Sequence, residues 1–204
     1  MNYIRTLKRI RQRKTNYHKR AAVLLSHSPF ITIKISNQNV ASQLVKPTLT
    51  GDFIITSVHS RNLTNLGWKG SLNNLPACYL TGFLLARKSL KTGIDKAILY
   101  IGKDVFTSRI AACVKGMIDG GIKIPVSEES LPEENRIKGS HIVEYANILK
   151  SDDDRYKTIF SGLLKNGLEP EKYESHFEEI KNKIHDEFNN NSISNTDRMV
   201  DINE

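Results

Sequence analysis

The first twenty residues of this 204-residue chain concentrate side chains that can bind a polyanion. They include eight Lys or Arg residues and no acid, and the first acidic residue of the chain is Asp52. Like charges this dense repel one another unless a polyanion neutralises them. Arginine dominates between Arg9 and Arg13, and its planar guanidinium group can bind a phosphate through two hydrogen bonds. The segment is predicted to be a nucleic-acid-binding arm, with a solvated basic face as the weaker alternative.

Two aromatic rings follow these arginines. Tyr17 and His18 can stack on unpaired bases or form hydrogen bonds with a ribose 2′-hydroxyl, two contacts by which proteins recognise single-stranded RNA. Tyr17 could equally be a helix residue that packs on a sheet, and the sequence leaves both possibilities open.

Charge is distributed unevenly along the rest of the chain. Residues 1–51 have a net charge of +10, residues 52–125 of +6 and residues 126–204 of −8. The overall +8 favours a polyanionic partner, either nucleic acid or an anionic membrane surface. A membrane-binding segment would need large apolar residues along one face, and residues 1–20 offer few of them. Neither a signal peptide nor an apolar run of membrane-spanning length is expected.

The residue patterns of known catalytic sites are missing from the sequence. The run 102–104 lacks the upstream glycine and the following Ser or Thr of a phosphate-binding loop. A two-metal nuclease needs clustered carboxylates, whereas the acids of residues 28–125 fall at predicted turns and element ends. These acids are Asp52, Asp95, Asp104 and Asp119. Cys78 and Cys113 fit no zinc-site spacing and are expected to be reduced core residues. No cofactor, metal or small-molecule substrate is therefore predicted, and a nucleic-acid-processing enzyme on an α/β core is the alternative.

Hydrophobic periodicity predicts the elements that position the arm. Strands over residues 30–35, 40–45 and 53–58, joined by turn-forming residues, indicate an antiparallel meander. A helix is predicted from Thr15, its N-cap, to Leu25. A long helix over residues 73–91, a buried fourth strand over 96–101 and a helix from Thr107 or Ser108 to Gly120 complete a strand–helix–strand crossover. The fold class is therefore α/β, with a mixed sheet.

The sequence divides into four predicted segments. These are a basic RNA-binding arm with a short helix (1–27), an α/β core domain (28–125), an acidic helical extension (126–188) and a disordered tail (189–204). Helices are expected over residues 141–149, 152–164 and 170–188 of the extension. Their apolar stripes should pack the helices against one another and onto the core. The stripes singled out are Tyr145, Ile148 and Leu149, followed by Tyr156, Ile159, Phe160, Leu163 and Leu164.

Several ordered motifs resemble one protein family. They are Arg9–Arg20, Ser36–Val45, Gly67–Lys69, Pro76–Gly82, Lys115–Pro125 and Leu131–Ala146. In this order and spacing they resemble the large-subunit ribosomal proteins that bind 5S rRNA, in their archaeal form. Asn16 departs from the usual Asp of that family, and Val126 stands where His is common. The insertion of the eukaryotic homologues between Gly102 and Phe106 is missing.

The resemblance implies a structural protein of the cytoplasmic ribosome without enzyme activity. It would bind 5S rRNA and anchor it to the large-subunit rRNA at the central protuberance. Its other partners would be neighbouring large-subunit proteins, including the other 5S rRNA-binding protein. The residues expected to contact rRNA combine the arm with the first hairpin, a Trp-Lys loop and two later cations. They are Arg5, Lys8, Arg9, Arg11, Arg13, Lys14, Thr15, Tyr17, His18, Lys19, Arg20, Lys34, Asn37, Gln38, Trp68, Lys69, Arg136 and Lys138.

Overall fold

A computed structural model of the chain describes residues 6–12, 14–48, 51–102 and 104–196, with side chains up to residue 188. A four-stranded mixed sheet in the order β3-β2-β1-β4 forms its centre. Strands β1 (Phe30–Ile35), β2 (Val40–Pro47) and β3 (Asp52–His59) form the predicted antiparallel meander. Strand β4 (Ile98–Leu99) pairs with β1 in parallel, as the crossover requires. The predicted α/β class is confirmed.

Two helices cover the apolar face of this sheet. They are α4 (Leu75–Lys91), capped by the Asn74 side chain, and α5 (Ser108–Asp119). Ile31 and Ile33 of β1 are fully buried in the same core as these helices. The helices approach closely because glycine lies at the contact: a Cβ atom on Gly82 would be 2.0 Å from the carbonyl oxygen of Cys113. Both cysteines are buried and unpaired, as predicted, and burial raises the pKa of Cys78 to about 12.

The helices before and after this unit are shorter, except for the last one. The arm contains α1 (Lys8–Arg11) and α2 (Tyr17–Ser26), and α3 (Arg61–Asn65) follows β3. The acidic region contains α6 (Glu134–Lys138), α7 (Ser140–Leu149), α8 (Asp153–Ile159), α9 (Ser161–Lys165) and α10 (Tyr173–Thr196). Single 3₁₀ turns lie at Glu128–Ser130 and Pro170–Lys172. No helix among the described residues is long and apolar enough to span a membrane.

The acidic region is part of the main core rather than an appendage to it. Tyr173, Phe177, Ile180 and Ile184 of α10 belong to the cluster that contains the sheet residues. Their spacing places them on one face of the helix, which packs on α4. Of the stripes predicted on α7 and α8, Leu149 and Phe160 are buried together with Ala146, whereas Ile148 is 71 % exposed and Ile159 48 % exposed. The predicted packing onto the core is therefore supplied mainly by α10.

Four local predictions differ from the structure. The N-cap of α2 is Asn16 rather than Thr15: the Asn16 side chain accepts a hydrogen bond from the Lys19 amide, whereas the Thr15 hydroxyl accepts one from the Arg9 guanidinium. The fourth strand comprises only two half-buried residues, since it lies at the sheet edge and its apolar run continues as a loop. The helix predicted over 152–164 is interrupted at Phe160. The backbone remains helical to Thr196, whereas disorder was predicted from Asn189; residues 197–204 lie outside the described part.

Candidate nucleic-acid interface

The sheet face opposite α4 and α5 is lined by polar side chains. Strand alternation places Thr32 and Lys34 of β1 on this face, with Gln43 of β2 opposite Thr32 and Ser57 of β3 opposite Gln43. Lys34 and Ser57 are exposed, and the other two are half-buried. A sheet with one apolar and one polar face provides a rigid platform that a polar partner can approach from one side.

The arm is attached at one end of this polar face. Val23 of α2 forms a small buried cluster with Phe30 and Val45, against which Tyr100 also packs. The Arg20 guanidinium pairs with the Asp52 carboxylate and lies 5.6 Å from the centre of the Phe30 ring. Because Arg20 is only 18 % exposed and has both partners, it holds α2 to the sheet in addition to contributing charge.

A groove forms where the arm meets the sheet, with a volume of about 520 Å³. We call this the arm groove. Its lining combines the arm, the polar face of β1 and the loop after β4, namely Arg9, Lys14, Thr15, Tyr17, Arg20, Thr32, Lys34, Asp52, Tyr100, Ile101, Gly102 and Asp104. Four of these residues are cationic and two are acidic. Asp52 pairs with Arg20, and the Asp104 carboxylate is 2.7 Å from the Lys34 ammonium.

Lys34, which is predicted to contact rRNA, is paired with Asp104 in the structure. The ion pair is solvent-exposed, with side-chain exposures of 67 % for Lys34 and 48 % for Asp104. Exposed pairs of this kind contribute little free energy, so a phosphate group could replace the carboxylate at small cost. Lys34 therefore still belongs to the cationic lining of the arm groove.

Most other predicted arm residues are exposed around this groove. Lys8, Arg9, Arg11, Lys14, Tyr17, His18 and Lys19 are exposed, and the Thr15 hydroxyl accepts a hydrogen bond of 2.8 Å from the Arg9 guanidinium. Tyr17 is 37 % exposed and borders the groove, so its ring can be reached by a base. The predicted residues Arg5 and Arg13 lie outside the described part.

The hairpin and the Trp-Lys loop form a separate cavity of about 510 Å³, lined mainly by polar residues. We call this the hairpin cavity. Gln38, Arg61 and Lys69 line it, whereas the backbone carbonyl of Asn37 accepts a hydrogen bond from the Asn73 side chain. The predicted residues Gln38 and Lys69 therefore line a second concave surface, together with Arg61, which was not predicted. They do not line the arm groove.

The structure corrects the prediction that the Trp68 side chain contacts rRNA. Its side chain is 3 % exposed, its indole N–H donates to the Ser71 carbonyl, and its ring stacks on His176 at 5.3 Å. The indole is therefore a core residue that attaches α10 to the loop, and it is not available to stack on a base. Burial could not be read from the Gly-Trp-Lys-Gly sequence, because that pattern also suits an exposed loop.

The last two predicted cations lie on α6. Arg136 is exposed, and the Lys138 ammonium is 3.5 Å from the Glu178 carboxylate of α10. Neither residue lines the arm groove. The structure thus brings Arg9, Lys14, Thr15, Tyr17, Arg20 and Lys34 together and leaves these two on a different element.

The carboxylates that a nuclease would need are dispersed. Asp52 and Asp104 have the partners described above, and Asp119 accepts a hydrogen bond of 2.8 Å from the Tyr79 hydroxyl. Within the described ranges, no group of three or more His, Cys, Asp or Glu side chains is arranged to hold a metal ion. The geometry gives no support to the alternative of a metal-dependent nuclease.

Thr32 and Tyr100 are among the groove residues that were not predicted from the sequence. Tyr100 and Thr32 line the arm groove, and Tyr100 also makes an edge-on contact with Phe30, with ring centres 5.4 Å apart. Thr32 could have been found, because its alternation with Lys34 puts both on the same face. Tyr100 could not, because its position depends on the irregular path of the chain after β4.

The fold and the arm groove define a class: an α/β protein that presents a basic, concave surface to a polyanion. Residues 2–103 match the model of a family described as ribosomal large subunit proteins 60S L5 and 50S L18. A similar protein is the large ribosomal subunit protein uL18 of Thermofilum pendens, which is 45 % identical over 181 residues, covering 87 % of this chain and 92 % of that protein. The chain belongs to this family of ribosomal large subunit proteins. It is thus a structural component of the large subunit rather than an enzyme, as the archaeal resemblance had indicated.

Proposed function

We propose that this ribosomal protein binds 5S rRNA through the arm groove and anchors it to the large-subunit rRNA at the central protuberance. Its protein partners there would include the other 5S rRNA-binding protein. The observation that carries the proposal is the meeting of Arg9, Lys14 and Lys34 with the accessible Tyr17 ring in one groove. Cations that bind phosphate beside a ring that can stack on a base are the combination that structured RNA with unpaired loops requires.

The arm groove and the hairpin cavity suggest how two RNA elements could be joined. The groove has four cations, whereas the hairpin cavity has Arg61, Lys69 and the Gln38 amide. We assign the groove to 5S rRNA and the hairpin cavity to a second RNA segment. A protein with two concave RNA-binding surfaces on one rigid sheet can hold two RNA segments in fixed relative positions.

The test is a comparison of 5S rRNA with an unrelated structured RNA of equal length. We expect the full-length chain to bind 5S rRNA at least about tenfold more tightly at physiological salt. Replacing Lys14, Tyr17 and Lys34 together with alanine should remove most of this preference. A matched control replaces Lys157, Lys165 and Tyr145 of the acidic region, which are exposed and distant in sequence. Equal affinity for both RNAs, or equal effects of the two triple variants, would disprove the assignment of 5S rRNA to the groove.

A further inference from the structure

The β4 edge of the sheet lies beside a groove with mostly apolar walls. This edge groove has a volume of about 780 Å³ and is lined by residues 28–29, 96–98, Ile118 and residues 121–125. Ile98, Ile122 and Ile124 are among its apolar lining residues. It shares no lining residue with the arm groove, so the proposed RNA-binding surface does not account for it.

The backbone of β4 is only partly paired at this edge. The Ile98 and Tyr100 amides donate to the carbonyls of Pro29 and Ile31, at distances of 3.0 and 2.8 Å. Because successive peptide groups of a strand point in opposite directions, Ala97 and Leu99 present their backbone groups to the other side. The Ala97 amide donates there to the Lys123 carbonyl at 3.2 Å, and the Lys123 amide donates to the Asp95 carbonyl at 2.8 Å.

The backbone hydrogen bonds that join Asp95 and Ala97 to Lys123 are not continued further along the chain, because a proline follows. The next donor along the segment that contains Lys123 would be the backbone nitrogen of Pro125, which has no hydrogen. The Ala97 carbonyl is therefore left unpaired by this segment beside the edge groove. The backbone groups of Leu99, which is not part of the lining, point to the same side of β4. An open row of backbone donors and acceptors is a template for an added strand, and it is placed here beside walls that can accept apolar side chains.

Two lysines give the edge groove its charge. Lys96 and Lys123 are exposed and line it on adjacent backbone segments, where they form an isolated parallel bridge. Among the side chains that the structure describes, neither ammonium group lies within ion-pairing distance of a carboxylate. Asp95 is exposed beside Lys96 but is not part of the lining.

We infer that the edge groove binds an extended, acidic segment of a partner protein, which adds a strand to β4. Its backbone would pair with Ala97 and Leu99, its apolar side chains would enter the groove, and its carboxylates would reach Lys96 and Lys123. A protein segment suits this surface better than RNA does. RNA would bring phosphates and polar base edges against isoleucine side chains, with only two cations to neutralise them.

The experiment uses the full-length chain and a blocked peptide of about seven residues that alternates aspartate and valine, long enough to follow the edge at roughly 3.3 Å per residue. The matched control peptide has lysine in place of each aspartate. We expect the acidic peptide to bind and to slow hydrogen exchange of the Leu99 amide, while the lysine peptide does neither. The double variant Lys96→Glu/Lys123→Glu should weaken binding of the acidic peptide by about tenfold or more.

A matched variant, Lys157→Glu/Lys165→Glu, changes net charge equally and should leave peptide binding unchanged. All four lysines are exposed, so both variants should fold. Equal binding of the two peptides, or binding without protection of the Leu99 amide, would overturn the inference. So would an RNA oligonucleotide that protects this amide when the acidic peptide does not. Much tighter peptide binding after removal of residues 197–204 would assign the groove to the chain's own acidic end, and the partner would be excluded.

Discussion

The basic arm and the acidic C-terminal region have opposite charge and opposite structural roles. Among its described residues, 6–12 and 14–26, the arm buries one side chain, Val23, in a small cluster beside the polar sheet face. The acidic region contributes Tyr173, Phe177 and Ile180 to the main core, where each is at most 2 % exposed. Net charge thus indicates which kind of partner a segment suits, whereas the spacing of its apolar residues determines whether it belongs to the fold.

The same comparison explains why a truncation of the acidic region would not report only on its partners. Removing α10 would expose the core face of α4, since Tyr79 of α4 and Phe177 of α10 are in ring contact at 5.6 Å. The phenolic oxygen of Tyr173 also accepts a hydrogen bond of 2.6 Å from the Asn74 side chain, which caps α4. Point substitutions therefore separate the two regions better than deletions at the C-terminal end.

The largest expected effect is on stability, from Phe177→Ala in α10. Its side chain is 2 % exposed, so truncation should leave a cavity and lower the free energy of unfolding by about 3–5 kcal/mol. Denaturant unfolding monitored by circular dichroism measures this directly. The control Ile148→Ala, at a side chain that is 71 % exposed, should change stability by no more than about 0.5 kcal/mol. Similar effects of the two variants would show that the acidic region is not part of the core.

Deleting residues 1–14 should give the largest effect on RNA binding. This deletion removes six Lys or Arg residues but keeps α2, whose Arg20 and Val23 attach it to the sheet. We expect affinity for 5S rRNA to fall about a hundredfold and the salt dependence to become clearly shallower, because fewer counterions are released. Filter binding over a range of potassium chloride concentrations tests both. An unchanged salt slope would show that the arm does not supply the phosphate contacts, and an unchanged melting temperature is expected as the control.

The contrast between the two regions also shows what sequence could and could not predict. The alternation of Ile31, Ile33 and Ile35 was sufficient to predict β1, because one-sided burial fixes which face each residue occupies. The cationic arm could be identified from the missing acids alone. Trp68 was misassigned because its burial depends on His176, more than a hundred residues later in the sequence. The pairing of Arg20 with Asp52 was likewise hidden, since two charges far apart in sequence give no local signal.

Substitution of Arg20 and Asp52 separates a positioning role from a direct phosphate contact. If Arg20 mainly holds α2 on the sheet, Arg20→Ala and Asp52→Ala should each weaken RNA binding by about threefold to tenfold, and the double variant should be no worse than either. If Arg20 instead binds phosphate directly, Asp52→Ala should release the guanidinium and raise affinity. A double-mutant cycle measured with 5S rRNA distinguishes the two outcomes.

The smallest expected effect is a pH dependence of stability in the acidic region. The His176 ring lies between Trp68 and the Glu179 carboxylate, and its Nε2 accepts a hydrogen bond of 3.2 Å from the Lys69 amide. Burial is the main cause that lowers the pKa of His176 from its usual 6.5, while Glu179 opposes this shift and Lys69 and Lys183 add to it.

A histidine with a lowered pKa in the folded protein takes up a proton more readily in the unfolded chain. Its contribution to stability is therefore complete above the unfolded pKa of about 6.5 and is lost as the pH falls from there toward the lower, folded pKa. Protonation also removes the acceptor for the Lys69 amide. The free energy of unfolding should thus decrease as the pH is lowered below about 6.5, with a change in Trp68 fluorescence.

The variant His176→Gln keeps a hydrogen-bond acceptor but cannot titrate in this range. It should flatten part of the decrease in stability, and the slope that remains is expected to come from His141, whose pKa is also lowered by burial. The control His185→Gln alters an imidazole on the same helix that is 46 % exposed, and it should leave the fluorescence of Trp68 unchanged. If His176→Gln and His185→Gln give the same pH profile, the contact between Trp68 and α10 does not depend on the protonation of His176. The acidic region would then be held to the core mainly by its apolar face and by the hydrogen bond from Asn74 to Tyr173. This would make its difference from the ion-paired arm still larger.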